Sequence, residues 1–274
     1  MAKTILITGS TDGIGLETAK MLVSQGHQVL LHGRNPTKLE SAEKLLSSLP
    51  GDGSLEGYIA DLSDLSNVES LAKAVADQHS SIDVLINNAG VYNTSNPVTS
   101  DGLDVRFVVN AIAPYLLTQR LLPNMASSGR VVNLSSAAQS AVNPKALLGQ
   151  LSLPANSAYA QSKLALTMWS YHLALQLKEK GLVVVAVNPG SLLGSKMVKE
   201  AFGIPGGDIG IGAEILTRAA LSDDFANASG QYFDNDSGRF ASPHPDALDL
   251  KKCQSLVAAM DTVLESLQIE KPRN

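Results

Sequence analysis

The sequence predicts an α/β protein, a doubly wound and mostly parallel seven-stranded sheet with helices on both faces, in three α/β/α layers. Short β-branched apolar runs alternate with longer amphipathic stretches, as repeated strand-helix-strand units require. Hydrophobic residues make up 44% of the chain and aromatics only 4%, a balance that suits strands buried on both faces by Val, Ile, Leu and Ala. A length of 274 residues fits one large domain and leaves little for a second, so residues 1–274 read as one domain.

Strands are expected over 4–8, 28–31, 55–60, 84–86, 130–134, 183–187 and near 231–233, each a short apolar run bounded by turn residues. Helices are expected over 15–25, 36–47, 64–78, 101–126, 157–180 and 208–220, with a helical tail over 245–267. Asn35-Pro36 places a capping Asn before a proline in the first turn, and Ser63-Asp64 opens the next helix. Strands with helices on either side imply parallel pairing and right-handed crossovers. Two irregular segments, 136–156 and 191–207, each follow a strand directly. Ligands of such sheets bind outside the carboxyl ends of the strands, so both segments border the expected site, and 191–207 has the glycines of a lid.

The net charge is −5, with no basic block, which argues against nucleic-acid binding. Cys253 is the single cysteine, so no intramolecular disulfide forms, and no Cys/His cluster has metal-ligand spacing. No apolar run reaches the length of a membrane span and the amino terminus lacks a signal-peptide core. A cytoplasmic protein is the simplest expectation.

The first strand runs into Thr8-Gly9-Ser10-Thr11-Asp12-Gly13-Ile14-Gly15 and then a helix. Glycines there allow a tight turn and close backbone approach to a pyrophosphate, which the free amides and positive end of the helix stabilise. This is the phosphate turn of a dinucleotide-binding, or Rossmann, sheet. The second strand ends in His32-Gly33-Arg34, with no carboxylate where a ribose 2′-hydroxyl would need one. A guanidinium suits a 2′-phosphate in charge and shape, so Arg34 points to NADP(H) as the preferred cofactor, with NAD(H) as the alternative.

Tyr159 and Lys163 lie four apart in an expected helix, so phenol and ammonium project from one face. A fixed cation favours the phenolate, which makes the pair a candidate tuned proton donor. His27, His32 and His172 lack a motif context and read as structural or surface residues.

With these residues in place, the chain resembles the short-chain dehydrogenase/reductase family from about Lys3 to Phe233. The spaced Gly9, Gly13 and Gly15, the Asn87-Asn88-Ala89-Gly90 stretch, the Tyr159/Lys163 pair and Asn188-Pro189-Gly190 match its motifs in order. The resemblance implies that Asp61 and Leu62 hold the adenine ring, although Asp61 also suits a helix entry. It implies that Asn88, Ala89 and Gly90 pass the adenosine ribose, and that Pro189 and Gly190 border the nicotinamide. Ser136, with Ser135 as the alternative, is implied to bond the substrate oxygen. Asn110 is implied to anchor a proton relay, and Lys163 to hold the nicotinamide ribose. Two departures stand out. Asp12 replaces a basic side chain common in NADP-preferring members, leaving Arg34 as the main 2′-phosphate contact with Ser10 or Thr11 as helpers. Gly194 replaces a threonine that contacts the nicotinamide carboxamide, with Ser195 or Ser191 as substitutes.

Loop lengths and Gly230-Gln-Tyr-Phe resemble the retinol-dehydrogenase-like and protochlorophyllide-reductase-like branch. That resemblance implies a hydrophobic small-molecule carbonyl or alcohol substrate. Leu147, Leu148, Leu151 and Leu153 of one segment, and Leu192, Leu193, Met197, Phe202 and Ile204 of the other, would line its pocket or else pack on the core. A homo-oligomer is implied through the helices over 101–126 and 157–180, with the stripe Leu164, Ala165, Met168, Tyr171 and Leu175 as its face, though core packing accounts for the same stripe. A non-catalytic redox sensor or scaffold is the competing class; it has no use for Ser136, Tyr159, Lys163 and Asn110 together.

Overall fold

The computed structural model describes residues 1–269, the side chain of Phe202 excepted. Its strands are β1 (Thr4–Ile7), β2 (Gln28–Gly33), β3 (Ser54–Ile59), β4 (Ile82–Asn87), β5 (Met125–Leu134), β6 (Val183–Asn188), β7 (Tyr232–Asp234) and β8 (Arg239–Ala241). They form one sheet in the order β3-β2-β1-β4-β5-β6-β7-β8. Every pairing from β3 to β7 is parallel, and β8 returns antiparallel on β7.

Period-two alternation divides the core. Leu6, Leu30, Leu85, Val131 and Val184 face one helical layer, while Ile5, Ile7, Val29, Leu31, Ile86, Val132 and Val185 face the other. Helices α1 (Gly13–Ser24) and α2 (Pro36–Ser47) cover the second face together with α9 (Gly210–Leu221). The first face carries α3 (Leu65–Gln78), α4 (Val105–Phe107), α5 (Ala113–Leu121) and α7 (Ala155–Gln176), with α10 (Leu250–Ser266) outside them. Short helices α6 (Pro144–Leu147) and α8 (Lys196–Phe202) occupy the two segments read as irregular. The expected caps form: Asn35 accepts from Lys38 N and Asp64 from Ser66 N.

The sheet has eight strands rather than seven. Three residues on one antiparallel edge, Arg-Phe-Ala, are too few to show an alternating pattern. The helix expected over 101–126 is also shorter and interrupted. Pro114 has no N–H to give the carbonyl of Asn110, and a π segment spans Val108–Ile112 before α5 resumes. A 3₁₀ turn through Pro123 ends the run, so β5 begins at Met125, and its register against β4 shifts between Ile82 and Val84.

Helix α10 packs along α7, and Tyr115 donates to Asp261 at 3.0 Å from α5 to α10. Leu164, Ala165 and Met168 are buried in the same core as Leu256, Met260 and Val263 of α10. Most of the stripe expected at an oligomer face is therefore buried in the chain's own core; Leu175 remains exposed. Among the described residues no helix is long and apolar enough to cross a membrane, and no cluster of potential ligands could hold a metal. Cys253 is buried.

Candidate active site

The glycine turn is shaped by close approach. Gly9 (φ +67) and Gly13 (φ +60) adopt left-handed backbone. A Cβ on Gly9 would sit 2.9 Å from Ala89 Cα, and one on Gly15 would sit 2.3 Å from Gly9 O. Asn88 Nδ2 donates to Thr8 O at 2.9 Å and to Gly9 O at 3.0 Å, stitching 88–90 onto the turn. Ser10 is wholly buried and its Oγ accepts from His32 N at 2.9 Å. Ser10 and Gly15 thus form the turn from behind. Gly9, Thr11, Asp12, Gly13 and Ile14 instead line a cavity of about 890 Å³ along the carboxyl edge of the sheet. His32, at the end of β2, is structural: its Nδ1 accepts from Gly9 N at 3.1 Å and its Nε2 lies 3.1 Å from Ala60 O. Burial pushes this imidazole down to about 4, so it is neutral and donates from Nε2.

The same cavity is lined by Arg34, Asp61, Leu62, Asn88, Ala89 and Gly90. Arg34 is exposed at its wall, with no side-chain partner among the described residues. Asp61 Oδ1 accepts from Ser63 N at 2.9 Å and from its hydroxyl at 2.7 Å, so this carboxylate holds the turn between β3 and the Asp64 cap of α3 and lines the cavity at once. A backbone that only glycine can supply, next to the free amides of α1, fits a pyrophosphate.

Ser136, Tyr159, Lys163, Pro189 and Gly190 also line this cavity. Ser136 acts on the Tyr159 phenol and lowers its pKa, and Ser136 Oγ accepts from Ala138 N at 3.1 Å. Ser135 bonds Thr167 Oγ1 at 2.7 Å and is buried, which separates the two serines: Ser136 faces the phenol and Ser135 secures β5 to α7. Packing around the phenol raises the Tyr159 pKa, Ser136 lowers it and Tyr92 raises it again. The Tyr92 ring lies 4.9 Å from that of Tyr159. Lys163 is 3% exposed; its Nζ donates to Leu134 O at 2.6 Å and lies 5.8 Å from the Tyr159 ring centre. Burial pushes its ammonium down to about 8.

Asn110, in the π segment, is buried behind the cavity wall. Its Oδ1 accepts from Val91 N at 2.8 Å, and its Nδ2 donates to Val91 O at 3.0 Å and to Ser162 Oγ at 2.9 Å. Ser162 in turn donates to Tyr159 O at 2.7 Å. Asn110 therefore ties the segment after β4 to the helix that carries the phenol.

The segment 191–207 closes on itself through Gly194 N to Gly207 O at 2.7 Å and Gly207 N to Leu192 O at 2.8 Å. Within it Leu192, Leu193 and Met197 line the cavity, and Ile204 is 38% exposed. Ser195 caps α8, accepting from Val198 N. Of the other segment, Leu147 and Leu148 pack on the core, Leu151 is exposed, and Leu153 borders a separate hollow of about 570 Å³.

Tyr92, Lys38 and Asp236 escaped the sequence reading. Asp236, in the β7–β8 turn, accepts from Ser191 N at 2.7 Å, Ser191 Oγ at 2.6 Å and Asn188 Nδ2 at 2.9 Å. Asn235 Nδ2 adds a bond to Pro189 O at 2.9 Å. Burial raises the Asp236 pKa, but the bonds from Ser191 and Asn188 outweigh it and hold the carboxyl below its usual range. The unforeseen hairpin thus pins the loop that follows β6. Asp236→Ala is expected to lower kcat/KM by roughly tenfold or more through misplacement of that loop, with faster amide exchange over 188–192 as the structural readout.

A phosphate cradle and a buried lysine beneath a phenol, on one doubly wound sheet edge, define a dinucleotide-dependent oxidoreductase. The chain belongs to the short-chain dehydrogenase family, whose description, short chain dehydrogenase, matches residues 3–203, and within it to the retinol-dehydrogenase-like branch. Retinol dehydrogenase 13 of Homo sapiens is 30% identical over 275 residues, covering 93% of this chain and 82% of the relative. A solved structure of an uncharacterised protein from Mycobacterium paratuberculosis has a TM-score of 0.79 at 28% identity, over 96% of this chain and 93% of that one. The landomycin C-6 ketoreductase LanV, solved with NADP and rabelomycin, has a TM-score of 0.68 at 27% identity, over 86% and 95%.

Proposed function

We propose that this protein transfers a hydride between NADP(H) and the carbonyl or alcohol group of a hydrophobic small molecule, with Tyr159 as proton donor and acceptor. The observation that carries this reading is the meeting of Tyr159, Ser136 and Lys163 on one wall of the cavity that begins at the glycine turn. The NADP bound to the related LanV supports the choice of cofactor.

When bound, the nicotinamide supplies or takes up the hydride. Gly9 and Gly13 would shape the turn around the pyrophosphate and the remaining amides at the start of α1 would hold it, with Arg34 at the 2′-phosphate and Asp61 at the adenine amine. Ser136 Oγ holds and polarises the substrate oxygen beside the phenol, which delivers its proton there during reduction and removes it during oxidation. Lys163 is the cation whose field favours the phenolate, and its position at the cavity wall suits a contact to the nicotinamide ribose. Asn110, joined to Tyr159 O through Ser162, keeps the phenol's helix in register with the segment after β4 and anchors the path by which the phenol is reprotonated. Leu192, Leu193 and Met197 offer an apolar wall to the substrate, in keeping with the name of the retinol dehydrogenase relative.

The test is NADPH consumption with a panel of lipophilic aldehydes and ketones, and NADP⁺ reduction with the matching alcohols, each repeated with the 2′-unphosphorylated cofactor. Turnover with at least one carbonyl, faster with NADPH, is expected. Tight NADPH binding without turnover across the panel would favour a redox sensor.

A further inference from the structure

The hollow of about 570 Å³ beside the main cavity is walled by separate parts of the chain: Asn93, Thr94 and Ser95, then Ser152 and Leu153, then Glu200 of α8. Its volume falls in the range of small-molecule sites, about 300–1,000 Å³. The two spaces back onto one wall, since Tyr92 and Asn156 line the main cavity while their neighbours Asn93 and Ala155 line the hollow. That wall is pinned. Asn110 bonds both the N–H and the carbonyl of Val91, and Arg106 Nη1 donates to Tyr92 O at 3.3 Å.

Arg106 and Asp104 also line the hollow, although their side chains are only 5% and 13% exposed. They meet as a two-pronged pair, Nε to Oδ1 at 2.9 Å and Nη2 to Oδ2 at 2.7 Å, and Nη1 and Nη2 each keep one N–H beyond these bonds. The hydroxyls of Ser95 and Ser152 have no protein partner among the described residues. Charge is balanced, because Arg106 answers Asp104 and Lys196 lies 3.5 Å from Glu200. Free donors and acceptors without net charge, beside the apolar faces of Pro97, Val98 and Leu153, suit a neutral group rich in hydroxyls, each of which both donates and accepts.

We propose that this hollow is a second ligand site, distinct from the cavity of Tyr159, that takes a neutral hydroxylated small molecule of the glycoside class and whose occupant holds α8 against the cavity. The coupling follows from the position of α8. Met197 and Val198 line the main cavity, Glu200 lines the hollow, and Asn93 Nδ2 donates to Glu200 O at 3.4 Å. The helix lies between Gly194 and Gly203, the latter left-handed at φ +67, so the backbone at both ends is free to turn. The hollow is complete only with α8 in this place, and a ligand that touches Glu200 therefore favours this arrangement over one with α8 swung away. Reciprocity requires a nucleotide held behind α8 to tighten the hollow's ligand by the same factor. The coupling rests on the NADP(H) reading above; the site itself does not.

The test titrates 4-nitrophenyl β-D-glucoside against the full chain by ligand-observed NMR, with and without saturating NADPH. A Kd of about 1 mM or tighter is expected, improved about fivefold by NADPH, the low end of usual couplings between sites. Ser152→Trp, which fills the hollow from an exposed position, should weaken the glucoside about tenfold or more by steric exclusion and leave NADPH affinity within about twofold. Glu200→Ala should keep glucoside affinity within about threefold, the scale of one exposed contact, and lose the improvement by NADPH. Unchanged thermal melting verifies the fold of both variants. No saturable binding, binding untouched by Ser152→Trp, or displacement of the glucoside by NADPH overturns the second site. Binding that Ser152→Trp removes but NADPH leaves unaltered overturns the coupling to α8. Failure of NADPH itself to bind strikes the NADP(H) reading, while the comparison with Ser152→Trp still decides the hollow.

Discussion

Tyr159→Phe is expected to lower kcat by roughly 10²- to 10⁴-fold, the usual weight of a positioned general acid, while leaving NADPH affinity within about twofold. The substitution removes one oxygen. The ring keeps its place against Tyr92, 4.9 Å away, and the helix keeps its Ser162 to Tyr159 O bond of 2.7 Å. What disappears is the proton and the oxygen on which Ser136 acts. The pH dependence has a defined sign. Packing holds the phenol above its ordinary value in spite of Ser136, so across neutral pH it is protonated and in the form that reduction needs. Oxidation needs the phenolate, so its rate should rise with pH while the reduction rate is level and then falls. Steady-state rates in both directions over a pH series read this out, and a variant that keeps both activity and pH profile would remove Tyr159 from the chemistry.

The second large effect concerns stability. Lys163→Met is expected to abolish efficient turnover and yet raise the melting temperature by a few degrees at pH 7. An ammonium 3% exposed, with its pKa pushed down to about 8 by burial from an ordinary 10.5, costs the folded state about 3 kcal/mol at about 1.36 kcal/mol per pKa unit. Losing its bond to Leu134 O gives back about 1–2 kcal/mol, which leaves a net gain worth a few degrees for a chain of this size. Because the folded pKa lies below the unfolded one, the unfolded state binds more protons between about pH 8 and 10.5, and Lys163 destabilises less as pH rises through that window. The difference in melting temperature between the two proteins should therefore shrink from pH 7 to pH 10. A variant that melts lower at pH 7 would show that the lysine stabilises the fold. The expected outcome is the usual cost of a charge held dry for chemistry.

Much of the site was legible because its requirements are local. A turn that must pass a phosphate shows its glycines within seven residues, and a phenol and ammonium on one face need only the helical period, so Gly9, Gly13, Tyr159 and Lys163 stand out without a fold. Ser136 was legible only to within one residue. Which of Ser135 and Ser136 faces the phenol depends on the pleat of β5, and a strand alternates faces at each step. The leucines of 136–156 could be counted but not aimed: Leu147 and Leu148 went to the core, while Leu192 and Leu193 of the later segment line the cavity.

The sequence by itself determined the sheet, its mostly parallel order and the dinucleotide turn, since hydrophobic period, capping residues and backbone freedom act over a few neighbours. Tertiary structure alone decided what joins residues far apart in the chain. Lys38 reaches Asp12 across 26 positions, Asp236 holds Ser191 across 45, and α10 packs on α7 from the far end of the chain. None of these contacts has a period or a composition, because each arises from the closing of the fold and the meeting of complementary groups there.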